Sequence, residues 1–198
     1  GDCSILLGNA LALKRLGRYG LVYLDAHDDF RHLGNAPAIG AAAGEDLALV
    51  TGRGDPRLTA LGGGALIDPA DIAVLGVRPE STELDELREL GMLVSTSKDL
   101  AAGGIEAGAA AALARVTANT AGFWIHLDWD VIDGAALPAV DCPEPGGLSF
   151  DELAALLRPL LASPRCAGLE LTIYDPDLDP SGAGAAAIVA CLARAFGR

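Results

Sequence analysis

Two short apolar runs that end in ionisable side chains constrain this chain more than any other feature. Residues 21–29 read Leu21, Val22, Tyr23, Leu24, Asp25, Ala26, His27, Asp28, Asp29, and residues 124–130 read Trp124, Ile125, His126, Leu127, Asp128, Trp129, Asp130. A buried strand has no structural use for a string of carboxylates at its tip. Side chains two apart on an extended chain point to the same side. Asp25, His27 and Asp29 therefore converge if the strand geometry persists, and so do Asp128 and Asp130. Like charges that close cannot all stay ionised in a partly buried site. A divalent cation, or better a pair, relieves the repulsion. Any one of these aspartates alone would be read as a strand-end cap; the two matched spacings with His27 argue for metal binding. His126 is in phase with Asp128. It reads as a satisfied core histidine, with a place beside the cluster as the alternative.

The rest of the chain supplies a frame for such tips. Beyond 21–25, apolar runs at 72–77, 92–95, 122–128 and 166–174 alternate with helical segments at about 4–16, 38–50, 81–90, 104–117, one capped by Ser149, and 182–196. This alternation predicts a mostly parallel sheet with helices on both faces. Ser149 with Glu152 forms a capping-box signature, and Glu83 is read as a first-turn acid. Gly34-Asn35-Ala36-Pro37 is read as a turn. Ligand sites of such sheets lie at the carboxyl ends of the strands, where both acidic tips fall. At 198 residues the chain is read as one domain, 1–198. The net charge of -13 argues against nucleic acid and anionic membrane surfaces as partners. Cys3, Cys142, Cys166 and Cys191 form no CxxC pair and are read as reduced thiols in a cytoplasmic protein.

Four segments, in order, resemble motifs of the arginase, agmatinase and ureohydrolase superfamily. Asp25-Ala26-His27-Asp28-Asp29 resembles its DAHxD motif. The segment from His126 to Asp133 resembles SxDxDxxD. The Pro/Gly-rich segment 138–149 resembles the stretch that follows, and Gly1-Asp2-Cys3-Ser4 resembles the end of GGDHS. The resemblance implies a three-layer α/β/α fold of the arginase-deacetylase type. Because the chain begins inside the GGDHS-like motif, its N-terminal strands are read as missing and the domain as N-terminally truncated. The resemblance also implies two Mn²⁺ ions per subunit, with Zn²⁺ or Mg²⁺ as alternatives. Asp25 and Asp128 would bridge both ions, Asp29 and Cys3 would complete one site, and His27 and Asp130 the other. A hydroxide bridging the ions would attack a guanidino or amidino carbon, with Asp25, Asp128 and His32 as the catalytic residues.

Three positions differ from the family pattern. Cys3 stands where the family has His, as in amidinohydrolases of hydroxyarginine, whose Trp-Ile-His-Leu-Asp-Trp-Asp-like segment is also similar. His32 is the sole histidine in the loop after the first motif and does not align with the family's proton-shuttling His. Ile173 falls where a substrate-binding Glu is expected; Glu170 is nearby but out of phase with it. The expected function is hydrolysis of a C–N bond in a small guanidino or amidino compound by a homo-oligomeric enzyme. The competing expectations are a non-catalytic homologue serving as an oligomer subunit or scaffold, and a deacetylase-like amide hydrolase.

Overall fold

The computed structural model describes residues 1–198 apart from Pro37 and Ile39. Helix α1 (Ile5–Leu16) leads into strand β1 (Tyr19–Leu24). Two short helices follow, α2 (Asp46–Val50) and α3 (Pro56–Thr59), and then strand β2 (Ile72–Leu75). Helix α4 (Leu84–Glu89), strand β3 (Leu93–Ser95) and helices α5 (Ser97–Gly103) and α6 (Ile105–Thr117) come next. Strand β4 (Gly122–Asp128), helix α7 (Phe150–Ala162), strand β5 (Cys166–Thr172) and helix α8 (Ala183–Ala195) complete the chain.

All strand pairs are parallel, in the order β3-β2-β1-β4-β5. Strand alternation divides the core between the two faces. Leu21, Tyr23, Ile72 and Val74 pack with Leu6 and Ala10 of α1, Leu47 and Val50 of α2 and Leu87 of α4. Val22, Leu24, Ala73, Leu75, Ile125 and Leu127 pack with α5, α6, α7 and α8 through Leu100, Ala112, Leu157 and Cys191, among others. Three layers result. Strands β1, β2 and β4 are covered on both sides, which is why they read as continuous apolar runs. The chain builds outward from β1 to β2 and β3, then returns to lay β4 on the other side of β1. The crevice at the carboxyl ends of β1 and β4 is thus the point where strand order reverses, the place where open α/β sheets bind ligands.

Local departures from the sequence expectations have identifiable causes. Among the described residues of 38–50, only a 3₁₀ turn (Ala42–Gly44) and α2 are helical, since the Gly-containing alanine run has no apolar face to bury until Leu47. The turn placed at 34–37 includes Pro37, which lies outside the described residues; Gly34 and Asn35 are in a turn. Helix α5 was not expected. Its capping box joins Thr96 and Asp99, and Gly104, at φ 94°, separates it from α6. Glu83 is the N-cap residue of α4 rather than a first-turn acid. Ser149 and Glu152 do form the capping box of α7. Strand β2 ends where Gly76 turns to φ 88°, and β5 ends where Ile173 turns to φ 75°. All four cysteines are free. Among the described residues no helix is long and apolar enough to cross a membrane.

Candidate metal centre

Strand β1 ends at Leu24, so the side chains that follow are set by a turn and not by strand alternation. The turn is built by the acids themselves. Asp25 Oδ1 accepts the His27 N–H at 2.7 Å, and Asp128 Oδ1 accepts the Asp130 N–H at 2.8 Å. Asp130 Oδ1 reaches across to the Ala26 N–H at 3.0 Å, tying the two strand tips together. His27 Nδ1 lies 2.9 Å from Asp130 Oδ2 and 3.6 Å from Asp25 Oδ1. Cys3, at the start of α1, donates its thiol to Asp128 Oδ2 at 2.8 Å and is also 3.3 Å from Thr172 Oγ1. The Tyr23 hydroxyl contacts Asp29 Oδ2 at 3.1 Å and Asp46 Oδ1 at 3.0 Å. Asp29 sits at φ 38°, a left-handed conformation that aspartate tolerates better than most residues.

Electrostatics in this cluster are those of acids crowded away from water. Burial raises the Asp25 carboxyl well above the usual range, and Asp130 and Asp128 add to the shift. Burial followed by Asp130 pushes Asp128 up to about 8, and burial followed by Asp25 raises Asp29. Burial followed by Asp29 raises Asp46. Hydrogen bonds to Asp130 and Asp25 push His27 up to about 12. Burial, with Asp128 next, raises the Cys3 thiol. Each carboxylate opposes the ionisation of its neighbours, the arrangement a bound cation would reverse.

Two sets of donor atoms approach closely enough to share an ion. Cys3, Asp25 and His126 form one, and Asp25, His27 and Asp130 form the other, with all ligand atoms of a set within 4.8 Å of one another. Asp25 Oδ2 and His126 Nε2 are fully buried and have no hydrogen-bond partner among the described residues. Buried polar atoms are rarely left so. A donor set of carboxylates, imidazole and a thiol with orphaned lone pairs fits divalent cations at two adjacent positions. A cavity of about 420 Å³ opens above the cluster, lined by Cys3, His27, Asp29, Asp128, Asp130 and Ile173.

Of the expected site residues, Cys3 and Asp25 fall in the first donor set and Asp25, His27 and Asp130 in the second, while Asp29 and Asp128 line the same cavity without joining either set. His32 does not join them: its Nε2 is 2.9 Å from Glu86 Oε1, its ring sits edge-on to Phe30, and it is absent from the cavity lining. Glu170 points to His126 and away from the cavity, as strand phase suggested. Sequence reading left Tyr23, Asp46 and Arg78 unassigned and took His126 as a core residue. Buried Arg78 donates to the carbonyls of Asp130, Ile132, Glu144 and Pro145, pinning the loop that carries Asp130. Tyr23 could have been found as the residue two before Asp25. The pairing of Tyr23 with His126 and of His126 with Glu170 needs the strand order.

Comparison with known proteins agrees with this geometry. The sequence profile of the arginase family matches residues 1–197. The arginase of Brevibacillus brevis is 30% identical over 200 residues, covering 100% of this chain and 67% of that protein. The solved arginase of Bacillus caldovelox superposes with a TM-score of 0.90 at 29% identity, covering 100% of this chain and 67% of that one. The proclavaminate amidinohydrolase of Streptomyces clavuligerus superposes with a TM-score of 0.74 at 27% identity, covering 98% of this chain and 59% of that one. The chain thus spans about two thirds of these arginases. With the motifs, the parallel sheet and the paired donor sets, the conclusion is that this chain belongs to the arginase family.

Proposed function

We propose that this chain, read as a single domain over 1–198, is the catalytic unit of a metal-dependent hydrolase that cleaves a guanidino or amidino C–N bond and releases urea or a related product. The observation that carries the reading is the meeting of Asp25, His27 and Asp130 from two strand tips, with the buried Asp25 Oδ2 left without a partner among the described residues. Cys3, Asp25, Asp29 and Asp128 would hold one divalent ion, and His27, Asp25, Asp128 and Asp130 the other. Two such ions supply Lewis acidity and a water activated near neutral pH. The chain's own part is to fix the donors before the substrate arrives. Asp130 orients the His27 ring, and Tyr23 holds Asp29. Asp28, Glu80, Glu83, Asp141 and Glu144 outnumber Arg31 and Arg78 on the cavity wall, a net acidic lining that favours a cationic guanidinium over an anion. His32 is assigned no step, because Glu86 holds it. A hydroxyarginine-type substrate is favoured among guanidino compounds by Cys3. Mn²⁺ as the ion and a homo-oligomer as the assembly enter this reading on the family resemblance alone, and the cytoplasm as the location on the cysteine pattern.

Metal analysis of purified protein, followed by assay of urea or hydroxyurea release from a guanidino panel, tests the reading. Two ions per chain with turnover are expected, and Asp128→Ala should lose both ions and the activity. Turnover that survives Asp128→Ala would overturn the mechanism. One observation favours a second reading, a non-catalytic subunit: Ile173 lines the cavity where the family pattern expects a carboxylate. Failure to bind any metal at millimolar Mn²⁺ would select it.

A further inference from the structure

His126 is held as a ligand is held. Its ring is fully buried in the middle of β4 and stacks on Tyr23 at a centroid distance of 4.6 Å. Its Nδ1 lies 2.7 Å from Glu170 Oε1 on β5, and Asn9 of α1 fixes the other Glu170 oxygen. With Nδ1–H donating to that carboxylate, the neutral ring presents its lone pair at Nε2. Nε2 has no partner and faces Asp25 Oδ2, equally without one, across 4.0 Å. Two lone pairs facing each other in a buried site repel. Ligand atoms about 2.0–2.1 Å from a tetrahedral ion lie about 3.3–3.4 Å from each other, so the gap between them closes by about 0.6 Å when an ion is bound. Cys3 Sγ completes the set within 4.8 Å.

We propose that His126 is itself a metal ligand. With Cys3 and Asp25 it makes a sulfur–nitrogen–oxygen site that selects Zn²⁺, while the Asp25–His27–Asp130 half accepts a harder ion such as Mn²⁺. Thiolate and imidazole are donors that suit Zn²⁺, and a carboxylate behind the imidazole orients it and raises its basicity. The centre is then a mixed-metal one, with Glu170 and Asn9 as the buttress of its softer half. This inference rests on the two-ion reading of the site.

Co²⁺ alone, added to EDTA-stripped protein, is the probe, because a thiolate ligand gives a near-ultraviolet sulfur-to-cobalt charge-transfer band; Cys142 lines the same cavity, so a Cys142→Ser control that keeps the band assigns it to the Cys3 half. The wild type should develop the band with one equivalent. His126→Gln and Glu170→Gln should each weaken the band-bearing ion by about 10-fold or more, leaving the second ion within about 3-fold. Wild-type affinity of the band-bearing ion in His126→Gln overturns the proposal. Should that variant fail to fold, zinc X-ray absorption of His27→Gln loaded with one equivalent decides. A sulfur at about 2.3 Å together with imidazole scattering supports it, and a shell without imidazole overturns it. Two bound ions with guanidino turnover but no sulfur-bound cobalt would sink this inference and leave the proposed function standing; no ion binding at all would sink both.

Discussion

Replacing Arg78 with methionine keeps most of the side chain's apolar stem and removes its guanidinium. That group is buried, and it donates to Gly76 O, Asp130 O and Pro145 O at 3.1 Å each, with longer contacts to Val131, Ile132 and Glu144 carbonyls. The Val131 and Glu144 carbonyls keep other donors, Leu148 N and Gly134 N, so their loss is small. The three short contacts dominate. At about 1–1.5 kcal/mol for each charge-assisted bond lost to a buried carbonyl, the variant should be about 3–5 kcal/mol less stable. The loop from Asp130 to Pro145 should also loosen, because no other side chain joins its two ends to β2 at these points among the described residues. Urea unfolding followed by circular dichroism, with and without added Mn²⁺, measures the first effect. Hydrogen exchange of residues 130–147 measures the second. Arg78→Lys should recover less than half the loss, since one ammonium cannot reach six carbonyls spread around a planar fork. A loss below about 1 kcal/mol for Arg78→Met, with unchanged exchange, would refute the assignment of Arg78 as the clamp of this loop.

Three further outcomes are expected. Asp133 accepts the Ala135 and Gly146 N–H groups, which hold its carboxyl below the usual range. Its contribution, about 1 kcal/mol, is full above the unfolded value near 3.9 and drains as pH falls through the lower folded value. The stability gap between wild type and Asp133→Asn should therefore close on acidification, and a gap that widens would contradict the sign. Gly147→Ala would place a Cβ 2.5 Å from Arg78 Nη2 and Asp133 N and 2.6 Å from the Ile132 carbonyl carbon. Because backbone cannot retreat, thermal melting should show a loss of about 2 kcal/mol or more, and a neutral result would mean the loop moves freely. Tyr23→Phe removes the buried hydroxyl between Asp29 and Asp46 and should cost about 1–2 kcal/mol in urea unfolding, with an unchanged m-value.

Legibility in the sequence followed the range of the interactions. The runs at 21–24 and 122–128 announced their strands because burial on both faces demands apolar residues at every position. Ser149 and Glu152 announced the start of α7 because a capping box is closed within four residues. Asp25, His27, Asp128 and Asp130 were legible as a cluster because acids at strand tips have no cheap structural use, though a turn rather than strand alternation brings them together. Helix α5 was missed because its apolar face is little more than Leu100, and 38–50 was overread because alanine favours a helix without providing a face for packing. What the amino-acid order determined alone was the alternation of elements, the family motifs and the acids at the tips. Only the fold decided that β4 lies beside β1, that Glu170 faces His126, that Glu86 captures His32 and that Arg78 pins the Asp130 loop. Those contacts join residues 44 or more positions apart, and no local propensity encodes which distant partner a buried polar atom will find.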